Sequence, residues 1–137
     1  MARTRLTDCD EGVVAGRLRK AEQFLGVAAI VRDLADDEED VGDALVTLCV
    51  HAGIAASDVI CCAALGYYVQ GQDHLQAIAE LSSVPPDGRQ LGSDLRALLQ
   101  MKTRAGYGAP PVTADQRKRA WRRAESLVEA ARSRRVA

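Results

Sequence analysis

The segment from Ala44 to Leu65 constrains the fold more than any other part of the sequence, because it is apolar on almost every side. A helix that is apolar all round must be covered all round, so this segment is expected at the centre of a helical bundle. The glycine that follows it, Gly66, is a common helix C-terminal residue and marks its end. The polar side chains within the segment are Thr47, His51, Ser57 and Asp58.

Four further segments flank the central one, and capping or turn residues mark their ends. Two pairs have the spacing of a capping box, Asp73 with Gln76 and Thr113 with Gln116. The Pro85-Pro86 pair provides strong turn chemistry between two of the segments. Apolar residues recur at helical spacing within each segment. The predicted helices therefore cover about 11–34, 43–65, 73–84, 89–104 and 113–134.

Composition supports a globular chain with a substantial core. Of the 137 residues, 47% are hydrophobic and 27% are charged, which is ordinary for a soluble domain. No stretch alternates cleanly between apolar and polar residues, so no strand competes with the helices. The sequence predicts a single all-α domain over residues 1–137, an antiparallel bundle of about five helices, with its ordered core at about 11–134.

Cysteine usage and hydropathy point to a reducing, aqueous environment. No two of the four cysteines are spaced as a C-x-x-C pair, so they are expected to be free and to pack as small hydrophobes. We expect no metal and no organic cofactor, because the sequence has no ligand-spaced Cys/His set and no Gly-rich phosphate loop. His51 and Asp58 interrupt the most apolar window, and the N-terminus lacks the apolar stretch of a secretory signal. The chain is therefore expected in the cytoplasm and not in a membrane.

Charge is distributed unevenly along the chain. Residues 1–101 contain 8 basic and 16 acidic residues, whereas residues 102–137 contain 10 basic and 3 acidic ones. Basic residues crowd the start of the last predicted helix, where Arg117, Lys118 and Arg122 are candidate nucleic-acid-binding residues. Two alternatives stay open. One is a solvated face, and the other is a contact with the acidic run at 33–43 of the same chain or of a second copy.

The segment KTRAGY places two cations and a tyrosine at the end of the fourth predicted helix. One interpretation is a helix C-terminus whose cations complement the helix dipole. The other is a reaction site with Lys102, Arg104 and Tyr107 as candidate catalytic residues. Asp58 is a fourth candidate, because a carboxylate on an apolar helix needs a cation. We expect it to pair with Lys102 or Arg104.

The two histidines are expected to have structural roles or none. His51 lies on the same stripe of the central helix as Asp58, two turns away, and is predicted to be buried and hydrogen-bonded within the core. His74 falls in the first turn of the third predicted helix, where an exposed side chain is the expectation. No histidine follows it in the sequence.

The order of three segments resembles the HEPN superfamily of small all-α domains, over about Gly16 to Arg132. These segments are HAGIAASDVICCAALG, QDHLQAIAEL and KTRAGY. The resemblance implies a helical bundle that commonly dimerises. In several such families it also implies a metal-independent ribonuclease, whose signature is an Arg followed about four to six residues later by a His. This sequence departs from that signature, since Lys102 stands where the Arg is expected.

Three functions follow as hypotheses. The first is a HEPN-like module that forms a homodimer and binds RNA, a nucleotide or a protein partner in a stress or defence setting of the toxin–antitoxin kind. The second is a divergent metal-independent ribonuclease toxin, in which Lys102, Arg104 and Tyr107 replace the usual pair. The third is a DNA-binding or scaffolding protein that uses the basic C-terminal helix.

Overall fold

The computed structural model describes residues 5–136, which form five α-helices, one 3₁₀ helix and two short strands. The ends of the predicted domain, residues 1–4 and 137, lie outside the described part. The all-α bundle of about five helices is confirmed. In chain order the elements are β1 (Arg5–Asp8), α1 (Glu11–Leu34), a 3₁₀ helix (Glu38–Val41), α2 (Gly42–Leu65), β2 (Tyr67–Gln70), α3 (His74–Ser82), α4 (Gly88–Gly106) and α5 (Ala114–Val136).

Helix α2 is the centre of the bundle, as its composition predicts. It packs against α1, α4 and α5, and every residue from Ala55 to Cys62 is buried. The helix ends at Gly66, which has a φ of 82°. This left-handed conformation is accessible to glycine at little cost and is difficult for other residues.

The length and apolarity of the segment Glu38–Leu65 also suffice for a membrane span. This corrects the expectation that His51 and Asp58 interrupt the apolar segment too much for it to span a membrane. Of its most apolar window, 61% is buried inside the fold. The core helix of a soluble protein meets the same criteria, and the packing of α2 among its neighbours accounts for its apolar surface.

Close packing between α2 and α4 depends on Gly53. A Cβ atom at this position would collide with the side chain of Leu98 and would also lie 3.3 Å from Leu127 of α5. Leu98 and Leu127 are both fully buried. The absence of a side chain at Gly53 therefore sets how near the neighbouring helices come to the central one.

The two strands were not predicted. β1 pairs antiparallel with β2, with Leu6 opposite Val69 and Thr7 opposite Tyr68. Residues before 11 lie outside the predicted ordered core, and residues 67–72 lie between two predicted helices. Four-residue strands carry too little alternation to be recognised, and the pairing joins segments that are far apart in the chain.

A disulfide bond joins Cys9 to Cys62, with their Cα atoms 5.6 Å apart. The expectation that all four cysteines are free was therefore wrong. Cys49 and Cys61 are free and buried. Burial raises the pKa of each of these two thiols to about 12, so both are protonated and unreactive at neutral pH.

The helix starts follow the predicted capping chemistry. The Gln116 backbone N–H donates to Thr113 Oγ1 at 3.1 Å, and the Thr113 N–H donates to Gln116 Oε1 at 2.8 Å. Asp73 accepts from the Gln76 N–H at 3.1 Å. In the acidic run, Asp37 accepts from the N–H of Glu39 at 3.0 Å and so caps the 3₁₀ helix between α1 and α2.

Candidate functional site

All three predicted nucleic-acid-binding residues line one cavity of about 150 Å³. The cavity lies where the first turns of α5 meet the end of α1, the 3₁₀ helix and the start of α2. We call it the Arg117 cavity. Four cations and one carboxylate line it, so it is strongly electropositive. Its polar and aromatic lining residues are Arg32, Glu38, Arg117, Lys118, Trp121 and Arg122.

Arg32 and Trp121 form one wall of the Arg117 cavity. The guanidinium carbon of Arg32 lies 4.0 Å from the centroid of the Trp121 ring. Trp121 is half-buried and packs against the core, as its place in the apolar register of α5 suggests. The cation–π contact holds the guanidinium of α1 beside the basic turn of α5.

Arg117 is half-buried and lies against the start of α2. Its Nε is buried and has no hydrogen-bond acceptor among residues 5–136. Gly42 makes room for it, since a Cβ at that position would lie 3.1 Å from Arg117 Cδ. A buried charged donor without an acceptor costs free energy.

Lys118 and Arg122 also line a second cavity, which lies between α4 and α5 and has a volume of about 450 Å³. We call it the α4–α5 cavity. The two residues are one helical turn apart, so they form a ridge between the two cavities. Arg119 and Arg123 line the α4–α5 cavity on the far side of this ridge. Basic side chains of α5 therefore face both cavities, and in the α4–α5 cavity the carboxylates of Asp94 and Asp115 lie among them.

Part of the α4–α5 cavity is a polar network around Asp94, which the sequence interpretation missed. Asp94 is 1% exposed and accepts from Arg123 Nη1 at 2.7 Å. It also accepts from Ser126 Oγ at 2.9 Å and from Gln90 Nε2 at 3.1 Å. This network joins α4 to α5 and fixes the position of Arg123.

A second cluster of functional groups surrounds Lys102 at the end of α4. Lys102 Nζ donates to Gln72 Oε1 at 3.0 Å and lies 3.2 Å from His74 Nε2. Partial desolvation lowers the pKa of His74, and the charge of Lys102 lowers it further against the opposing effect of Asp73. The neutral imidazole is thus the favoured form beside the ammonium group.

His51 lies near the same ammonium group and does not match its prediction. Its side chain is exposed and not a core histidine, and its ring stacks on Phe24 with centroids 5.4 Å apart. Desolvation and then the charge of Lys102 lower the pKa of His51. The two histidines therefore share one cationic neighbour.

Arg104 and Tyr107 do not join Lys102 through any contact among the described residues. Arg104 donates from Nε at 3.1 Å and from Nη2 at 2.7 Å to the carbonyl oxygen of Pro111. Tyr107 is 82% exposed. Of the three candidates in the KTRAGY segment, Lys102 alone contacts another titratable side chain in residues 5–136.

Asp58 pairs with Arg17 of α1, which corrects the expected pairing with Lys102 or Arg104. The Arg17 Nη2 to Asp58 Oδ2 distance is 2.7 Å. Burial raises the pKa of Asp58 to about 6, and the attraction of Arg17 offsets only part of this effect. Asp58 and His74 line one small cavity of about 20 Å³ between α2, α3 and α4, with room for roughly one water molecule.

No protein-family model matches the chain, and no curated protein matches it significantly. Within residues 5–136, no group of three or more His, Cys, Asp or Glu residues is placed to hold a metal ion. The chemistry of the two clusters is therefore the basis for a functional assignment.

Proposed function

We propose that this chain is a HEPN-like helical module that binds RNA or a nucleotide through the basic face of α5. We propose that it acts as a homodimer in a stress or defence setting of the toxin–antitoxin kind. The observation that carries the binding proposal is the ridge of Lys118 and Arg122 between two cavities. A polyanion lying across α5 would contact both cavities at once.

Charge and geometry both favour a phosphate-bearing ligand here. Arginine guanidinium groups bind phosphate oxygens through paired N–H donors, and lysine contributes a mobile point charge. Neither Lys118 nor Arg122 has an ion-pair partner among the described residues, so both are available to a ligand. Arg119 and Arg123, by contrast, are already paired with Asp115 and Asp94.

The test is binding of a labelled single-stranded RNA, followed by fluorescence anisotropy at several salt concentrations. The logarithm of the binding constant should fall linearly with the logarithm of salt concentration, with a slope of about −0.7 for each phosphate contacted. Replacing both Lys118 and Arg122 by alanine should weaken binding at least tenfold and should reduce the slope by about 1.4. Double-stranded DNA in the same assay tests the third hypothesis.

The matched control removes two cations from another exposed surface. Arg19 and Lys20 are exposed on α1, far from α5 in the sequence, and their replacement by alanine makes the same change in net charge. This control should bind RNA nearly as well as the natural chain. Equal losses in the two double variants would show that net charge alone attracts the RNA, and the proposed site would be wrong.

The proposed homodimer has a candidate surface on α1. Val27, Ile30 and Leu34 are large apolar residues at helical spacing, and they are 42%, 56% and 78% exposed. Apolar side chains in such a stripe are suited to packing against a second copy related by a two-fold axis. Light scattering should give a dimer mass that Ile30→Glu converts to a monomer mass. A monomer at every concentration of the natural chain would rule the dimer out.

The contact between Lys102 and His74 favours a second candidate function, a metal-independent ribonuclease. Lys102 Nζ can only donate, so the neutral His74 accepts at Nε2 in this contact. A ribose hydroxyl that displaced the ammonium from Nε2 would give its proton to the imidazole, and the displaced ammonium would stabilise charge that develops on the phosphorus oxygens. Lys102 lies on α4 and His74 on α3. The pair therefore forms between two helices and does not need the Arg and His of the signature, which lie close together in the sequence. Gln72 holds the Lys102 side chain in place from the segment that precedes α3.

The ribonuclease candidate is tested by incubating the purified chain with labelled RNA in the presence of a metal chelator. Cleavage should disappear in Lys102→Ala and in His74→Ala but persist in Tyr107→Phe, because Tyr107 makes no contact with the pair. Intact RNA with the natural chain would eliminate this activity for that substrate. Cleavage that survives in His74→Ala would assign it to another residue or to a contaminant.

A further inference from the structure

The Arg117 cavity differs from the rest of the basic surface because side chains from α1, α2, α5 and the 3₁₀ helix surround it. Arg117 Nε is buried without an acceptor in residues 5–136, whereas Lys118 is an exposed side chain. The exposed face of α5 can attract any polyanion. A cavity lined by basic side chains from both α1 and α5 can instead surround a single ligand group.

The size of the cavity limits what can enter. Its volume is about 150 Å³. A protein cavity of about this size holds a molecule as large as benzene. The Arg117 cavity therefore has room for one phosphate group, and it is too small for a nucleotide together with its neighbours in a strand.

The charge balance of the cavity favours a dianion. Four basic side chains line the cavity together with one carboxylate, Glu38. Asp33 outside the lining pairs with Arg32 at 3.2 Å, so four cations and two carboxylates leave two net positive charges. A phosphate monoester carries a charge of about −1.5 to −2 at neutral pH and has three terminal oxygens, whereas a phosphodiester within a strand carries one charge. The monoester can accept from more of the arginine donors at the same time.

We propose that the Arg117 cavity is a subsite for a terminal phosphate, the monoester end of a nucleic acid strand or of a nucleotide. This inference rests on the proposed function and specifies which part of the ligand enters the cavity. The strand that carries the phosphate then continues across the ridge of Lys118 and Arg122 toward the α4–α5 cavity.

The experiment compares short RNAs of one sequence that carry a 5′-phosphate, a 3′-phosphate or hydroxyl groups at both ends. Competition binding at one salt concentration should favour at least one of the phosphorylated strands by about tenfold over the hydroxyl strand. A nucleoside monophosphate in the same competition shows whether the phosphate is recognised without the strand. A phosphoserine peptide tests the protein-ligand alternative.

Two variants link the preference to the cavity. Arg117→Gln should remove the preference, because it should weaken binding of the phosphorylated strand about tenfold more than binding of the hydroxyl strand. Glu38→Gln should increase the preference, because it removes the carboxylate that lines the cavity, and a misfolded variant cannot produce such a gain. Arg89→Gln removes an exposed cation of α4 and is the matched control, which should leave the preference unchanged.

The outcomes separate this inference from the proposal on which it rests. Salt-dependent RNA binding with equal affinity for all three strands would overturn the terminal-phosphate subsite and leave the proposed function intact. No binding of any strand would overturn both. Binding of the phosphopeptide alone would show that the cavity serves a protein ligand, and the inference would be wrong. A Glu38→Gln variant with no increased preference would also contradict it.

Discussion

Lys102 Nζ lies 3.2 Å from His74 Nε2, although 28 residues separate them in the sequence. The contact joins the C-terminal part of α4 to the first turn of α3. The charge of Lys102 also acts on His51 of α2, so one ammonium group influences both histidines of the chain. This arrangement gives a direct way to test the geometry in solution.

Replacing Lys102 by methionine should raise the pKa values of both His74 and His51 toward the ordinary value of about 6.5. The rise should be partial, because desolvation is the larger cause of the lowered pKa in each case. Titration of the imidazole protons by NMR measures both values. Lys20→Met is the control and should change neither pKa. Unchanged histidine pKa values in Lys102→Met would contradict the contact.

The stability of the natural chain should depend on pH through Asp58. Its folded pKa of about 6 lies above the ordinary 3.8, so the folded state holds this proton more tightly than the unfolded state. Asp58 therefore favours the folded state at low pH, and this contribution is lost as the pH rises toward about 6. Between about pH 4 and pH 7, the unfolding free energy of Asp58→Asn should therefore rise by about 2 kcal/mol relative to that of the natural chain.

Urea unfolding of the two chains across this pH range measures the effect. Asp33→Asn is the control, because Asp33 is an exposed carboxylate paired with Arg32 at the surface. The unfolding free energy of Asp33→Asn should match that of the natural chain at each pH. A constant difference between Asp58→Asn and the natural chain would mean that Asp58 does not titrate in this range.

The Cys9–Cys62 disulfide should contribute about 2–4 kcal/mol to stability, because it closes a long loop in the unfolded chain. The two cysteines are 53 residues apart in the sequence. Cys9→Ser should lower the unfolding free energy by this amount, and a reductant should lower that of the natural chain to the same level. Cys9→Ser should not respond to the reductant, whereas Cys49→Ser should respond like the natural chain. A natural chain that is insensitive to the reductant would contradict the bond.

Gly53→Ala should destabilise the bundle by about 1–3 kcal/mol, because the added methyl group collides with Leu98 and forces α2 and α4 apart. Gly26→Ala is the matched substitution on the exposed face of α1, where an added Cβ meets no atom within 4 Å. It should stabilise the chain by roughly 0.5–1 kcal/mol through the higher helix propensity of alanine. Thermal melting of both variants should therefore show shifts of opposite sign.

Asp94→Ala should cost about 2 kcal/mol, because it removes the acceptor shared by Arg123, Ser126 and Gln90. The loss should appear mainly as earlier exchange of amide hydrogens at the contact between α4 and α5. Asp115→Ala removes an exposed carboxylate that pairs with Arg119 and should change stability by less than about 0.5 kcal/mol. Similar losses of unfolding free energy in both variants would show that the Asp94 network does not stabilise the contact between α4 and α5.

The sequence by itself determined the architecture of the bundle. An apolar surface on every side of residues 44–65 requires a central position, and the structure buries every residue from Ala55 to Cys62. The capping pair of Thr113 and Gln116 and the glycine stop at Gly66 could also be predicted. Each of these features is encoded within one or two helical turns, so the chain alone contains the information.

Only the tertiary structure decided which side chains meet between elements. Asp58 required a cation, yet the sequence did not show that Arg17 lies beside it instead of Lys102. The contact of Lys102 with His74 and the Cys9–Cys62 bond were missed for the same reason. Such contacts depend on the rotation and axial offset of each helix against its neighbours. Packing of the whole core sets these two quantities, and the local spacing of residues does not record them.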